Sequence, residues 1–492
     1  MNHIKQLAGQ TLVYGMGIVL PRVLSYLLLT PFYTRIFTKT EYGVVTELYA
    51  YVVFLIVILT YGLETGFFRF SDKSSNERNV YKTVLTAIIS TSLIFIILIF
   101  FFFGIIAHGL QYPDNPEYIR NLGIIVALDA FCTIPFARLR FQNKPVKYAY
   151  IRIVEVSITL IANWFFLYYC PRNYEDKQWI NSIIYDPNIS VGYVLISNLI
   201  ATSVKAIMLS KEIFFLKGKF DYVLLKRILR YSSPLLIAGL AGTINEAIDR
   251  VMLKHLISPD DLPLQQLGIY GANYKLAVLM TLFIQMFRYA AEPFFFSKKN
   301  EKNAKYIYAS VMKYFIFSGV IIFLLVTLYI DIFKLFIGAD FRQGLGIVPI
   351  VLMANLFMGI FYNLSVWYKL KNLTKYGAYL VITGAVFTII INYLFIPKYG
   401  YFASAWGHFI SYLVMVILSY YFSRKHYRIN YDLKEIFLWL FVGISIYTLF
   451  TKVKINNHVI EYVIKTILLL ILTAIFFYNE KRKKLIDESK DR

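Results

Sequence analysis

The chain is short of charge, of cysteine and of histidine. Asp, Glu, Lys and Arg make up 16% of its 492 residues, against about a quarter in soluble domains. Its two cysteines, Cys132 and Cys170, lie within or at the end of apolar runs without metal-ligand spacing, which leaves neither a disulfide framework nor a thiolate metal site. The six histidines are dispersed, and there is no HExxH pair, no Walker lysine loop and no set of histidine and acids at catalytic spacing. The longest segment expected on the outer side, Cys170 to Ser190, is too short for an extramembrane catalytic domain. An enzyme, a secreted disulfide scaffold and a soluble nucleotide-binding fold are all disfavoured, and no cofactor or metal is expected.

What the chain has instead is long apolar runs. Hydrophobic residues are 58% of the total and gather in blocks such as Val84 to Phe103, Ile316 to Ile330 and Ile460 to Tyr478. A hydrocarbon core of about 30 Å needs about 20 such residues in a helix, whereas a membrane β-barrel would show alternating segments of about 10. The fold class is therefore an all-α polytopic membrane protein. Hydropathy places fourteen helices, at 11–36, 43–66, 80–107, 117–138, 147–169, 190–215, 231–256, 264–296, 304–330, 343–368, 373–395, 399–423, 433–451 and 459–479. Met1 to Gln10 has one lysine and no small-residue cleavage site, so the first apolar segment is expected to be a retained helix.

Positive charge dominates, with 51 Lys+Arg against 29 Asp+Glu and a net charge of +22. With the amino terminus inside, 33 of these cations fall in inward segments, 11 in outward segments and seven within spans. This loop-by-loop alternation is the positive-inside pattern. It predicts two cytoplasmic termini and replaces the nucleic-acid reading that a basic chain first invites.

The two halves echo one another. Thr34-Arg35 with Glu41-Tyr42-Gly43 parallels Asp249-Arg250 with Gly268-Ile269-Tyr270-Gly271, and Lys147-Tyr148-Ala149 with Asn163 parallels Lys375-Tyr376-Gly377 with Asn392, offset by 228 to 229 residues. Six helices per half return the chain to the same side, so the repeat is parallel. Transporters built this way hold substrate between the halves. The expected organisation is an N-terminal lobe (1–216), a basic cytoplasmic linker (217–230), a C-terminal lobe (231–424) and a final helix pair with a basic tail (425–492).

An ion at mid-bilayer is expensive, so it normally faces protein or a water-filled cavity. Arg22 follows Pro21, which frees a carbonyl, and it either lines a cavity or satisfies that carbonyl. The seventh helix carries Asn245, Glu246, Asp249 and Arg250 after Gly239 and Gly242; Glu246 and Arg250 stand four apart and can pair. The eighth adds Lys275, Arg288 and Glu292, the last two again four apart. These groups are cavity-lining or form a neutral structural cluster. Asp129 has no cation near it in sequence, so it finds a distant partner, is protonated or binds a cation. Lys313 is expected to snorkel, and Glu461 with Lys465 to form an ordinary pair. Aromatics at span ends fit an interfacial belt better than sugar stacking.

Pro31-Phe32-Tyr33-Thr34-Arg35 with Glu41-Tyr42-Gly43, Gly62 with Arg69-Phe70, Asn245 with Asp249-Arg250, Leu267-Gly268-Ile269-Tyr270 with Lys275-Leu276, and Asn392 with Ile396-Pro397-Lys398-Tyr399-Gly400 occur in order along the chain. In these segments the chain resembles the polysaccharide biosynthesis flippases of O-antigen type, from the superfamily that also holds the multidrug and toxic-compound exporters and the peptidoglycan-precursor flippases. The resemblance implies two six-helix lobes with a cavity between them. It also implies export of an undecaprenyl-diphosphate-linked oligosaccharide across a bacterial inner membrane, with glycan polymerases as candidate partners. Arg22, Arg250, Lys275 and Arg288 are the cations that could hold the diphosphate. Asp129, Glu246 and Asp249 are the candidate acids for coupling to H+ or Na+. Glu47, where peptidoglycan-precursor flippases carry arginines, points away from that substrate. A drug exporter and, from another class, a glycan polymerase or ligase are the alternatives.

Overall fold

In the computed structural model the described residues (20–21, 23–71, 77–175, 184–214, 218–453 and 457–490) are helical almost throughout and contain no strand. Helix α1 covers 23–36. It is followed by α2 (Lys39–Thr60), α3 (Leu63–Phe70), α4 (Glu77–Gly109), α5 (Pro116–Phe141), α6 (Pro145–Trp164, extended by a π-turn to Tyr169), α7 (Gly192–Met208) and α8 (Tyr222–Leu256). Then come α9 (Pro263–Leu276), α10 (Val278–Ser297), α11 (Ala304–Leu328), α12 (Val348–Leu364), α13 (Thr374–Tyr399), α14 (Tyr401–His426), α15 (Leu433–Lys452) and α16 (His458–Lys490).

Each expected span, as far as its residues are described, coincides with one of these helices or with an adjoining pair. Among the described residues ten helices or adjoining helix pairs are long and apolar enough to cross a membrane, and the pair α9–α10, bent by 52°, makes eleven. Helix α7 is a shorter apolar helix. Length and apolarity thus carry ten or eleven crossings, and fourteen stays the expectation of the hydropathy pattern.

By packing, the chain divides into two compact units. Met1–Ala272 with Val381–Ser404 form one, and Asn273–Leu380 with Ala405–Arg492 the other. The division follows contacts and is a different cut from the repeat.

Local chemistry sets the helix ends. Thr38 caps α2: its hydroxyl accepts the Glu41 N–H at 3.2 Å while Glu41 Oε2 accepts the Thr38 N–H at 2.9 Å, a reciprocal capping box. Glu41 Oε1 also accepts the Ser190 hydroxyl at 2.8 Å. Between α2 and α3 the chain turns through left-handed Tyr61 and Gly62 (φ 31° and 74°).

The repeat appears in backbone detail at an offset of 229. Asn143 and Asn372 both take left-handed conformations (φ 54° and 58°). The next amide in each case reaches back five residues, Lys144 to the Leu139 carbonyl at 2.9 Å and Leu373 to the Tyr368 carbonyl at 2.7 Å. Asn163 and Asn392, both fully buried, donate to the carbonyls of Thr159 and Thr388 at 2.7 and 2.8 Å. Each also accepts a hydroxyl from elsewhere, Tyr33 at 2.8 Å and Ser404 at 3.0 Å.

In the second unit the last two helices dock on α11 through a stack. Phe317 and Phe476 lie parallel with centroids 3.8 Å apart, and Trp439 stands edge-on to Phe317 at 4.9 Å. Lys313 pairs with Glu480 and, at 3.8 Å, with Glu435, so it ties this pair of helices to α11. Phe476→Ala should lower the stability of the detergent-solubilised protein by about 1–3 kcal/mol, read as a lower unfolding midpoint. That is less than in a soluble core, because lipid replaces water around the exposed surface.

Candidate functional site

Four charges from three helices meet in the first unit. Lys205 of α7, whose side chain is 3% exposed, pairs with Asp129 of α5 and lies 2.5 Å from Glu155 of α6. Arg152, one turn before Glu155, pairs with it at 3.0 Å and stacks over the Phe136 ring at 4.2 Å. Two cations face two carboxylates, so the cluster is neutral. Asp129 has taken the first of the three options open to it, a distant partner. Beside the cluster, the Tyr49 hydroxyl of α2 is hydrogen-bonded by the Asn198 amide of α7, which donates its other hydrogen to the Val194 carbonyl at 2.9 Å.

A second, fully enclosed pair holds α2 to α8. Glu47 is 0% exposed and Lys254 2%, with Nζ 2.9 Å from Oε2. The carboxylate also accepts the Tyr51 hydroxyl at 2.8 Å and the Tyr112 hydroxyl. Lys254 donates to the Leu110 carbonyl at 2.6 Å and sits 3.7 Å above the Tyr112 ring. Burial, and then the neighbouring Glu47 carboxylate, raises the Tyr112 phenol far above its ordinary value, so it stays protonated as a donor. Glu47 and Lys254 are thus each other's counter-charge, a pairing that no spacing in the sequence indicated.

The sequence-predicted cations are distributed over both units. Arg22 lies outside the described residues. Arg250, half-buried on α8 in the first unit, donates to the backbone carbonyl of Glu246 at 3.2 Å, and the Glu246 side chain is exposed. Asp249 beside them is fully buried. Asn245 bridges α8 to α13, donating to the Val381 carbonyl at 2.9 Å and accepting the Thr388 hydroxyl at 3.0 Å.

Lys275 is half-buried at the end of α9 and Arg288 exposed on α10, both in the second unit. Arg288 packs over the Tyr362 ring at 5.1 Å, while Glu292 pairs with Lys369 at 3.0 Å. Arg288, Glu292, Tyr362, Ser365 and Lys369 share one small pocket with Phe287 and Phe295. The expected i,i+4 pairing of Glu292 with Arg288 thus gives way to Lys369, and Arg288 is exposed. Glu461 and Lys465 do pair, at 2.5 Å. Glu64, at the start of α3, pairs with Arg140 of α5. Among the described residues no group of His, Cys, Asp and Glu is arranged to hold a metal ion.

Residues 7–298 match the family described as polysaccharide biosynthesis protein. The chain belongs to the polysaccharide biosynthesis protein family. Comparison with curated proteins gives no sequence match. Among solved structures, this family member has the fold of the lipid II flippase MurJ in an inward closed conformation, with a TM-score of 0.70 and 16% identity over 95% of this chain and 99% of that one. An inward-facing multidrug resistance MATE transporter of the MOP superfamily follows at TM-score 0.63 and 13% identity, covering 85% and 97%. MATE in a bent conformation gives 0.56 and 12%, covering 88% and 95%. At these identities the likeness concerns the fold.

Lys205 is the keystone of the neutral cluster. Lys205→Met should cost about 3–5 kcal/mol of stability, since it removes the counter-charge of Asp129 and leaves the cluster with one uncompensated negative charge. Adding Asp129→Asn should recover most of the loss, because Glu155 keeps Arg152 as its partner, with the wild-type, single-variant and double-variant unfolding midpoints read side by side.

Proposed function

We propose that the chain flips an undecaprenyl-diphosphate-linked oligosaccharide between the leaflets of a bacterial inner membrane by alternating access, for cell-surface polysaccharide synthesis. The observation that carries this reading is membership of the polysaccharide biosynthesis family in a chain whose fold is that of lipid and drug transporters. The alternating distribution of lysine and arginine supports both termini facing the cytoplasm. A divalent diphosphate entering a low-dielectric cavity needs cations already in place. Arg22, Arg250, Lys275 and Arg288 are the residues assigned to that task, with the exposed guanidinium of Arg288 best placed to receive an anion. The prenyl chain stays in lipid while the glycan crosses in water. Glycan polymerases are the partners that would take the product on the far side.

The test is transport of extracted lipid-linked oligosaccharide in proteoliposomes. Charge-assisted contacts are worth about 1.5–3 kcal/mol each, so Arg22→Glu with Arg288→Glu should slow flipping by about ten-fold or more at normal protein level. Unchanged flipping rejects the assignment. Efflux of a fluorescent organic cation, with no glycan movement, would instead select the drug-exporter reading suggested by the MATE-like fold.

Coupling to H+ or Na+ is assigned to Asp129, Glu246 and Asp249. Use of Asp129 requires Lys205 to let go of it, because the two are paired at rest. Imposed proton or sodium gradients should each be tested in the same vesicles, and at least one should change the flipping rate several-fold. Indifference to both removes the coupling role.

A further inference from the structure

The neutral cluster in the first unit has a surface that its internal pairing leaves unused. Asp129 stands at the middle of α5, and Glu155 and Arg152 lie on α6 well away from its ends. Lys205 is closed off, yet the side chains of Asp129, Glu155 and Arg152 keep 24%, 17% and 35% of their surface open. Tyr49, midway along α2, is 37% exposed although its hydroxyl is engaged by Asn198. Open charged surface at that depth cannot face hydrocarbon without a large penalty, so it faces water. A water-filled surface at mid-depth in a transporter fold is part of the path that a solute takes.

Its chemistry is specific. With two cations matched to two carboxylates, the surface has no net charge to attract a diphosphate. It does offer what vicinal hydroxyls bind: carboxylate and amide oxygens as acceptors, a guanidinium as a donor in a fixed plane, and an aromatic face for the apolar side of a pyranose. We propose that Tyr49, Asp129, Arg152, Glu155 and Asn198 form the site for the glycan part of the substrate, separate from the cations assigned to its diphosphate. The proposal rests on the flippase reading. It predicts that this surface, rather than the diphosphate-binding cations, sets which oligosaccharide is accepted.

The experiment compares two probes on the full-length protein in nanodiscs: the lipid-linked oligosaccharide pool extracted from producing cells, and undecaprenyl diphosphate, which has the same lipid and diphosphate without sugar. Tyr49→Phe alone removes only the hydroxyl and serves as the mild variant. The double variant Tyr49→Leu, Asn198→Ala removes the aromatic face and the amide of the proposed site and keeps every ion pair of the cluster. The wild type should bind the glycan-bearing lipid more tightly. The double variant should lose about ten-fold or more of that affinity with undecaprenyl diphosphate binding and unfolding midpoint unchanged, and Tyr49→Phe should fall between. Equal loss for both probes, or no loss for either, overturns the glycan site. Failure of the wild type to bind either probe instead overturns the flippase reading, so the two failures are distinguishable.

Discussion

A charge inside a bilayer must bring its counter-charge with it, and the structure is organised around that demand. Lys205 holds two carboxylates from two other helices, Lys254 is enclosed with Glu47, and Lys313 ties the last two helices to α11. In each case the partners are far apart in sequence. The pairs therefore do more than offset desolvation. Lipid offers apolar side chains nearly the same surroundings as protein does, so apolar contact alone discriminates weakly between one helix arrangement and another. An ion pair accepts very few arrangements, because separating it leaves two charges stranded.

Much of the fold was legible because it depends on local quantities. Apolar runs long enough to cross hydrocarbon coincide with helices, and the 229-residue offset seen in a few short matches reappears as the same turn at Asn143 and Asn372 and the same back-bonded amide at Asn163 and Asn392. The ion pairs were less legible. Spacing four apart pointed to Arg288 with Glu292, but the carboxylate chose Lys369. The i,i+4 rule is worth only a few tenths of a kcal/mol in an isolated helix, and a better-placed cation from another helix outbids it. Asp129 found Lys205 at a separation of 76 residues, and Glu47 found Lys254 across most of the first unit. Only the excess of intramembrane acid over nearby cation hinted at such partners.

Some of the segments that carry the family resemblance turn out to be architectural. Glu41 spends one carboxylate oxygen on the capping box of α2 and the other on Ser190. Gly43 is required because an added Cβ would run into the backbone carbonyl of Leu264, and Gly268 meets α2 in the same way at the carbonyl of Lys39. Motifs of this kind identify the fold well and say little about the cargo.

The repeat also makes its own departures visible. At the 229-residue offset, Asp129, Arg152 and Glu155 correspond to Met358, Val381 and Gly384, while Lys205, past the extra loop, corresponds to Leu413 at the offset set by Gly192 and Gly400. The turn and the buried asparagine are written twice, but the charge cluster is written once. A parallel repeat relates its halves by an axis along the membrane normal, so both already face the same way. A cluster written into one half alone therefore distinguishes one half from the other, and makes chemically unequal two lobes that share a backbone pattern.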